Sequence, residues 1–203
     1  MTKRGVRIPT SAHPWALASF LTVLWLLALF LGGAESDLDR RIFLALHPGE
    51  QSSLVKLAWA ITWLGDWLVL VPIGGLATGL LFSQGRRLDA FALVATIVVV
   101  RILVALQKIL FNRDRPDFEQ WMIEYSASFP SAHAANSAVT FLAIAILMKK
   151  SRLAIIIAVV LAAAVGLSRI VLGVHWPTDV IGGWAFAGLA LLIFSRVRGR
   201  QNC

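Results

Sequence analysis

Near the C-terminus, residues 168–179 read SRIVLGVHWPTD, directly ahead of an apolar run that extends to residue 195. His175 stands four residues, one helical turn, before Asp179. This spacing at the start of a hydrophobic helix is typical of an imidazole that is oriented for use as a base or a nucleophile. Arg169, six residues ahead of His175, offers a planar charged fork that suits phosphate oxygens. The stretch therefore predicts a phosphate-handling site where two apolar helices meet.

Two further blocks fit the first. Lys108 is followed, after six residues, by Arg115 and a proline, and the tetrapeptide PSAH at residues 130–133 opens another apolar run. Together the three blocks resemble the signature of the type 2 phosphatidic acid phosphatase (PAP2) superfamily of membrane lipid phosphatases. The resemblance covers residues 108–179, in the family's order and with its internal spacings. One position departs, because the family usually has glycine where this chain has Ala132.

The resemblance implies a role for each polar residue of the three blocks. His175 would be the nucleophile that forms a phosphohistidine, Asp179 would fix its tautomer, and His133 would be the general acid. Spacing alone does not decide between the two histidines. Ala132 keeps the backbone N–H that the family's glycine would offer and adds a methyl group, so we expect the activity to be altered but not lost. The expected phosphate-binding residues are Lys108, Arg115, Ser131, Ala132 and Arg169.

The composition is that of a membrane protein with several spans. Of the 203 residues, 58% are hydrophobic and 15% are charged, and the mean hydropathy is +0.76. The net charge of +8 lies in short clusters between apolar runs, which the positive-inside rule explains better than nucleic-acid binding does. The single cysteine, Cys203, makes no internal disulfide, and the sparse carboxylates leave no evident metal cage. We therefore expect no metal, no other cofactor and no nucleic-acid partner.

Six apolar runs are long enough to cross a bilayer as helices. Residues 52–63 are interpreted as a short interfacial helix, with a break at Gly65-Asp66 before the second span. An alternative for the first run is a signal peptide, because basic residues precede it and a small-residue sequence follows at 32–34. The prediction is an all-α, six-helix membrane bundle that forms one domain over residues 1–203. The six runs are 15–33, 64–83, 89–111, 131–149, 152–170 and 179–195.

The distribution of lysine and arginine predicts the orientation of the bundle. With a cytoplasmic N-terminus, eleven of these residues fall in inside segments and seven in outside segments, and three of the seven belong to the proposed site. Both termini are then cytoplasmic, and up-and-down threading brings the three blocks together at the outer face. The eleven inside residues are Lys3, Arg4, Arg7, Arg86, Arg87, Lys149, Lys150, Arg152, Arg196, Arg198 and Arg200.

Two arginines and one loop lie outside the three blocks. Arg113 either touches phosphate or pairs with Asp117. Arg101 lies near the middle of the third span, about 10 Å deeper than the phosphate-binding lysine of the same helix and on a similar face. It either helps to hold a substrate phosphate or forms a structural pair with a residue such as Asp66, and the structural pair is the prediction. Loop 117–129 either dips into the outer leaflet or packs as an ordinary loop.

An outward-facing membrane phosphatase suits a lipid whose phosphate lies at the outer surface of a bacterial inner membrane. The resemblance offers undecaprenyl diphosphate, phosphatidylglycerophosphate, phosphatidic acid and lipid A, and the first is favoured because the chain lacks an added headgroup-binding domain. A lipid-to-lipid phosphotransferase is an open alternative. Six spans argue against an acid phosphatase or a haloperoxidase, and the intact histidine pair argues against a lipid-binding or transport protein. The sequence predicts no oligomeric state.

Overall fold

The structure, a computed structural model, describes residues 14–49, 52–148 and 151–201 of the chain. All regular structure in these residues is helical, which confirms the all-α prediction. The basic residues Lys3, Arg4, Arg7, Lys149 and Lys150, used above for orientation, and Cys203 lie outside the described residues. The helices are α1 Pro14–Phe30, α2 Asp37–Leu46, α3 Ser53–Thr62, α4 Trp67–Ser83, α5 Arg87–Phe111, α6 Ala132–Met148, α7 Arg152–Val171 and α8 Pro177–Gln201, with a 3₁₀ turn at Trp63–Gly65.

Several helices have the length and apolar character of membrane spans. Within the described residues, α5, α7 and α8 each qualify alone, and α3 and α4, which are bent by 43° at their break, add a fourth if they form one span. The two 17-residue helices α1 and α6 are apolar but shorter. The chain is thus an integral membrane protein, and the count of six spans stays a prediction.

The break predicted at Gly65-Asp66 is confirmed, and the cause is local. The 3₁₀ turn ends at Gly65, and the Asp66 side chain then caps α4 by accepting a 2.8 Å hydrogen bond from the N–H of Leu68. A Cβ at Gly65 would lie 2.4 Å from a methyl carbon of Val165, so only glycine lets the turn approach α7 this closely.

Helix α2 was not predicted. Four of its ten residues are charged, so it lacks the long apolar run by which the spans were recognised. Phe43 is nevertheless fully buried, and the buried Asp39 accepts a 3.0 Å hydrogen bond from the N–H of Thr178 and a 2.7 Å bond from that of Gly33. The short helix thereby ties the end of α1 to the first turn of α8.

Helix α6 lies at the centre of the bundle, in contact with α4, α5, α7 and α8. Its buried surface is rich in alanine, including Ala135, Ala138 and Ala143, which lets neighbouring helices approach closely. Helix α1 packs along α8, and Trp25 of α1 donates a 3.0 Å hydrogen bond to the side chain of Gln107 in α5.

The C-terminal ends of α5 and α7 and the N-terminal ends of α6 and α8 meet at one end of the bundle, as the threading predicts. Ser131 donates its N–H to the carbonyl of Asp179 at 3.0 Å, which joins α6 to α8. Arg115, beyond α5, donates to the carbonyl of Val174 between α7 and α8. The three sequence blocks therefore share one end of the fold.

Candidate active site

The turn between α7 and α8 positions the histidine and the aspartate. Gly173 adopts φ 78°, and a Cβ there would lie 2.5 Å from a loop carbonyl oxygen, so the tight turn requires glycine. Asp179 accepts a 2.8 Å hydrogen bond from the N–H of Trp176 and so caps α8. The same carboxylate oxygen lies 3.4 Å from Nδ1 of His175. The aspartate is thus beside one ring nitrogen of the histidine, one turn away along the chain.

Asp179 is fully buried and is held by two further side chains. Arg113 donates from Nη1 to its Oδ1 at 2.8 Å, and the hydroxyl of Ser128 donates to its Oδ2. Arg113 also donates from Nη2 to the carbonyl of Ala28 at 2.8 Å, which anchors the end of α1. Of the two alternatives for Arg113, the pair with Asp117 is therefore wrong, because the guanidinium is turned inward to compensate a buried carboxylate.

His175 is buried, and its two ring nitrogens face different partners. Nδ1 lies 3.3 Å from the hydroxyl of Ser128, on the side of Asp179, whereas Nε2 lies 3.5 Å from Nη1 of Arg115. Burial lowers the pKa of His175 well below its usual value, and the neighbouring cations, chiefly Lys108 and Arg115, lower the pKa further. The imidazole is therefore neutral at physiological pH, with an Nε2 lone pair available toward the cations.

Arg169 and Arg115 form a clamp around an acidic side chain. Arg169 is fully buried, and it donates from Nη1 to the hydroxyl of Thr62 at 2.8 Å and from Nη2 to Oε1 of Glu124. The other oxygen of Glu124 lies 3.9 Å from Nη2 of Arg115. Burial lowers the pKa of Arg115, but a guanidinium stays charged at physiological pH. The two arginines thus hold one carboxylate between them.

Two buried polar atoms at this site have no hydrogen-bond partner within the described part of the chain: Oγ of Ser131 and Nε of Arg169. Ser131 directly precedes α6, whose first residue, Ala132, is half-buried. A Cβ at Gly183 would lie 2.7 Å from the carbonyl oxygen of Ser131, so α8 presses closely on this helix start. A helix N-terminus with a free hydroxyl and a free guanidinium N–H is suited to an anion.

The two cations of α5 differ in their surroundings. Lys108 is buried, and its ammonium group donates to the carbonyls of Ala127 and, at 3.4 Å, Ser128. Arg101 is exposed, and no ion pair joins it to Asp66 or to another described residue. The expected structural pair of Arg101 is therefore wrong, because the Asp66 carboxylate instead caps α4.

His133, the second residue of α6, is half-buried beside the 3₁₀ turn, where a Cβ at Gly65 would lie 3.0 Å from its ring. Its ring borders a cavity of about 570 Å³. This cavity gives a path from the surface to the imidazole. Other residues that line the cavity include Trp59, Asp66, Trp121 and Glu124.

The structure brings all eight sequence-predicted site residues to one end of the bundle, and it adds three that sequence reasoning missed. Thr62 and Glu124 accept hydrogen bonds from Arg169, and Ser128 donates a hydrogen bond to Asp179. None of the three occurs at a spacing that marks a helix face or a turn. A weak signal was available, since charged loop residues next to buried arginines are expected to pair with them.

Comparisons with known proteins point to one family. The family model described as "PAP2 superfamily" matches residues 89–203. The chain is 34% identical to phosphatidylglycerophosphatase B of Bacillus subtilis over 188 residues, which cover 89% of this chain and 91% of the relative. It is 30% identical to lipid A 1-phosphatase of Rhizobium etli, with 87% and 86% covered.

A solved structure shows the same fold. The crystal structure of a transmembrane PAP2-type phosphatidylglycerolphosphate phosphatase from Bacillus subtilis superposes with a TM-score of 0.80 at 31% sequence identity, covering 92% of this chain and 96% of that one. The shared sequence, the shared fold and the family model lead to one conclusion: the chain belongs to the PAP2 superfamily and is an integral membrane lipid phosphatase.

Proposed function

We propose that this protein removes the terminal phosphate of a membrane lipid through a phosphohistidine at His175, without a metal ion. The observation that carries the proposal is the carboxylate of Glu124 held between Arg169 and Arg115. It marks a point where two guanidinium groups bind one anion, and Nη1 of one of them, Arg115, lies 3.5 Å from Nε2 of His175. A substrate phosphate that replaces this carboxylate would face the lone pair of the imidazole.

In the first step, Nε2 of neutral His175 attacks phosphorus. The P–N bond forms as the ester or anhydride P–O bond breaks, and protonated His133 gives its proton to the departing oxygen. Asp179 accepts a hydrogen bond from Nδ1–H of His175 and stabilises the positive charge that develops on the ring. Because Arg113 and Ser128 hold the carboxylate in place, the imidazole is oriented before the substrate arrives.

In the second step, a water molecule attacks the phosphohistidine. His133, now neutral, takes a proton from the water as the new P–O bond forms and the P–N bond breaks, which releases inorganic phosphate. The cavity beside His133 supplies the path for this water. The charge on the phosphoryl oxygens is balanced by the cationic side chains of Lys108, Arg115 and Arg169 and by the N-terminus of α6 at Ser131 and Ala132.

We further infer that the chain is one domain of six spans, with both termini in the cytoplasm and the site at the outer face. The excess of lysine and arginine in the inside segments supports this orientation. The apolar helices α1 and α6 supply the two spans beyond the four that qualify by length and composition. A bacterial inner membrane, with the site facing the periplasm or the outside, fits this arrangement.

The substrate we favour is a diphosphate of a polyprenyl alcohol, such as undecaprenyl diphosphate. The names of the two relatives point to phosphatidylglycerophosphate and to lipid A, so family membership alone does not select the lipid. The shared chemistry is a terminal phosphate on an anchored lipid.

The test is phosphate release by detergent-purified protein from undecaprenyl diphosphate, phosphatidylglycerophosphate, phosphatidic acid and lipid A, with EDTA present. The matched variants are His175→Ala and His133→Ala. We expect EDTA-resistant release that is lost in the first variant. With ³²P-labelled substrate and an alkaline quench, which preserves phosphohistidine, the second variant should show slow release of the lipid.

Three results would count against parts of the proposal. Full activity of His175→Ala would overturn the covalent mechanism. Loss of activity with EDTA, restored by a divalent cation, would overturn the metal-free mechanism. Transfer of label to a second lipid, with no release to water, would make the protein a phosphotransferase.

A further inference from the structure

Arg101 is a cation for which the mechanism above has no use. It lies on α5, seven residues or two turns before Lys108, and its side chain is exposed. No hydrogen bond or ion pair links it to another residue in the described ranges. The sequence around it is a continuous apolar run from Phe91 to Leu106 interrupted by this one charge and by Thr96.

The depth of Arg101 makes an unpartnered charge costly. It precedes the end of α5 at Phe111 by ten residues, which places it about 15 Å along the helix from that end. Helix α5 is long and apolar enough to span the membrane by itself. A guanidinium facing the hydrocarbon at this depth is unfavourable unless it meets water or an anion. The position therefore calls for an anionic partner.

Arg101 is also near the candidate site. It lies on the face of α5 that carries Lys108, about 10 Å deeper along the helix. Helix α4 packs against α5 just below Arg101, since a Cβ at Gly74 of α4 would lie 3.3 Å from the side chain of Ile97, one turn before Arg101. Because His133 opens α6 at the site end of the bundle, Arg101 lies on the membrane side of that histidine.

We propose that Arg101 is a second anion subsite, which binds the phosphate that stays on the lipid when a lipid diphosphate is hydrolysed. This rests on the proposed function, in which the departing oxygen leaves toward His133. In phosphatidic acid, the group beyond that oxygen is a neutral diacylglycerol and gives Arg101 no partner. In a diphosphate, it is a second phosphate attached to a hydrocarbon tail that extends into the membrane, toward the depth of Arg101.

The experiment compares Arg101→Ala and Arg101→Lys with the wild-type protein on undecaprenyl diphosphate and on phosphatidic acid. The matched control is Arg87→Ala, which removes an exposed arginine from the other end of the same helix, about 21 Å away. For Arg101→Ala we expect kcat/KM on the diphosphate to fall by about 10- to 100-fold, the loss of one charge-assisted contact. On phosphatidic acid the change should be within about twofold. The lysine variant should retain part of the activity, and the control should match the wild type on both lipids.

A binding measurement separates this inference from the proposed function. In the His175→Ala background, which should bind without turnover, Arg101→Ala should weaken binding of undecaprenyl diphosphate and of the product undecaprenyl monophosphate, but not of phosphatidic acid. Equal losses on both lipids, or no loss on either, would overturn the subsite. Absence of turnover by the wild-type protein on every lipid would overturn the proposed function instead, and the binding ratio would still decide the role of Arg101.

Discussion

Arg113 offers a direct test of how the site is held together. Replacing it with alanine leaves Asp179 buried without its ion-pair partner, while the hydrogen bonds from Ser128 and from the N–H of Trp176 remain. With charge centres about 4 Å apart and an effective dielectric constant of about 20, the interaction amounts to about 4 kcal/mol. The side chain of Arg113 is only 11% exposed, so solvent screens the pair little. We expect the free energy of unfolding to fall by about 3–5 kcal/mol.

The same substitution should reduce turnover through the orientation of His175. Asp179 without its arginine keeps hydrogen bonds to Oδ2 only, so Oδ1 is no longer fixed and the imidazole beside it is oriented less firmly. We expect kcat to fall by about 10- to 100-fold with little change in KM, because Arg113 does not face the clamp that holds the phosphate. Arg113→Lys should restore part of kcat, since one donor can still reach the carboxylate. Arg41→Ala, an exposed arginine of α2, serves as the control.

The assay is thermal unfolding in detergent together with phosphate release, in a double-mutant cycle with Asp179→Asn. The coupling between the two positions should exceed about 2 kcal/mol, because the asparagine has no charge for the arginine to compensate. A coupling below about 0.5 kcal/mol, with kcat of Arg113→Ala unchanged, would refute the reasoning.

Three further outcomes follow from the geometry. The folded protein keeps His175 neutral, whereas the unfolded chain protonates it below about pH 6.5, so the free energy of unfolding should decrease as the pH falls through that value, by up to about 1.4 kcal/mol per pH unit. Between pH 7.5 and 5, the unfolding midpoint of His175→Asn should decrease less than that of the wild type, and an equal decrease would contradict the assignment. Arg169→Lys cannot reach both Thr62 and Glu124 with a planar fork, so kcat/KM should fall by about 10- to 100-fold, and near-wild-type kinetics would argue against the clamp. Gly183→Ala places a methyl group 2.7 Å from the carbonyl oxygen of Ser131, at the start of α6, so it should destabilise the protein by about 1–3 kcal/mol. It should also weaken inhibition by inorganic phosphate, and unchanged inhibition would mean that this helix start does not bind phosphate.

The spanning helices were predictable from sequence because a long apolar run in a bilayer must satisfy its backbone hydrogen bonds internally, which a helix does. Even the break at Gly65 followed from local residues. Helix α2 was not predictable in the same way, because its ten residues owe their place to Asp39 and Phe43, which contact segments far away in the chain. Sequence patterns report local periodicity, and this helix is held by non-local contacts.

The site was predictable to the extent that its residues fall at fixed spacings on helix ends. The loop between α5 and α6 has no such spacing, and its backbone is fixed by non-local hydrogen bonds. The N–H of Ser128 donates to the carbonyl of Arg113, at the other end of the loop, at 2.7 Å, and the N–H of Trp121 donates to the carbonyl of Leu172 at 3.0 Å. The positions of Glu124 and Ser128 depend on these bonds. Both residues were therefore missed, although one occupies the arginine clamp and the other touches the histidine–aspartate pair.

The charges at the site favour a particular form of substrate. Burying a guanidinium as completely as that of Arg169 requires a counterion, and Glu124, whose side chain is 25% exposed, can supply it and withdraw to water when a phosphate arrives. Once Glu124 has withdrawn, three cations face the phosphate, because a fourth, Arg113, is paired with Asp179. A terminal phosphate carries up to two negative charges, whereas a phosphodiester carries one and has an added substituent on an oxygen that the clamp must hold. The charge balance therefore selects for terminal phosphates and against the diester linkages of ordinary phospholipids. The three cations are Lys108, Arg115 and Arg169.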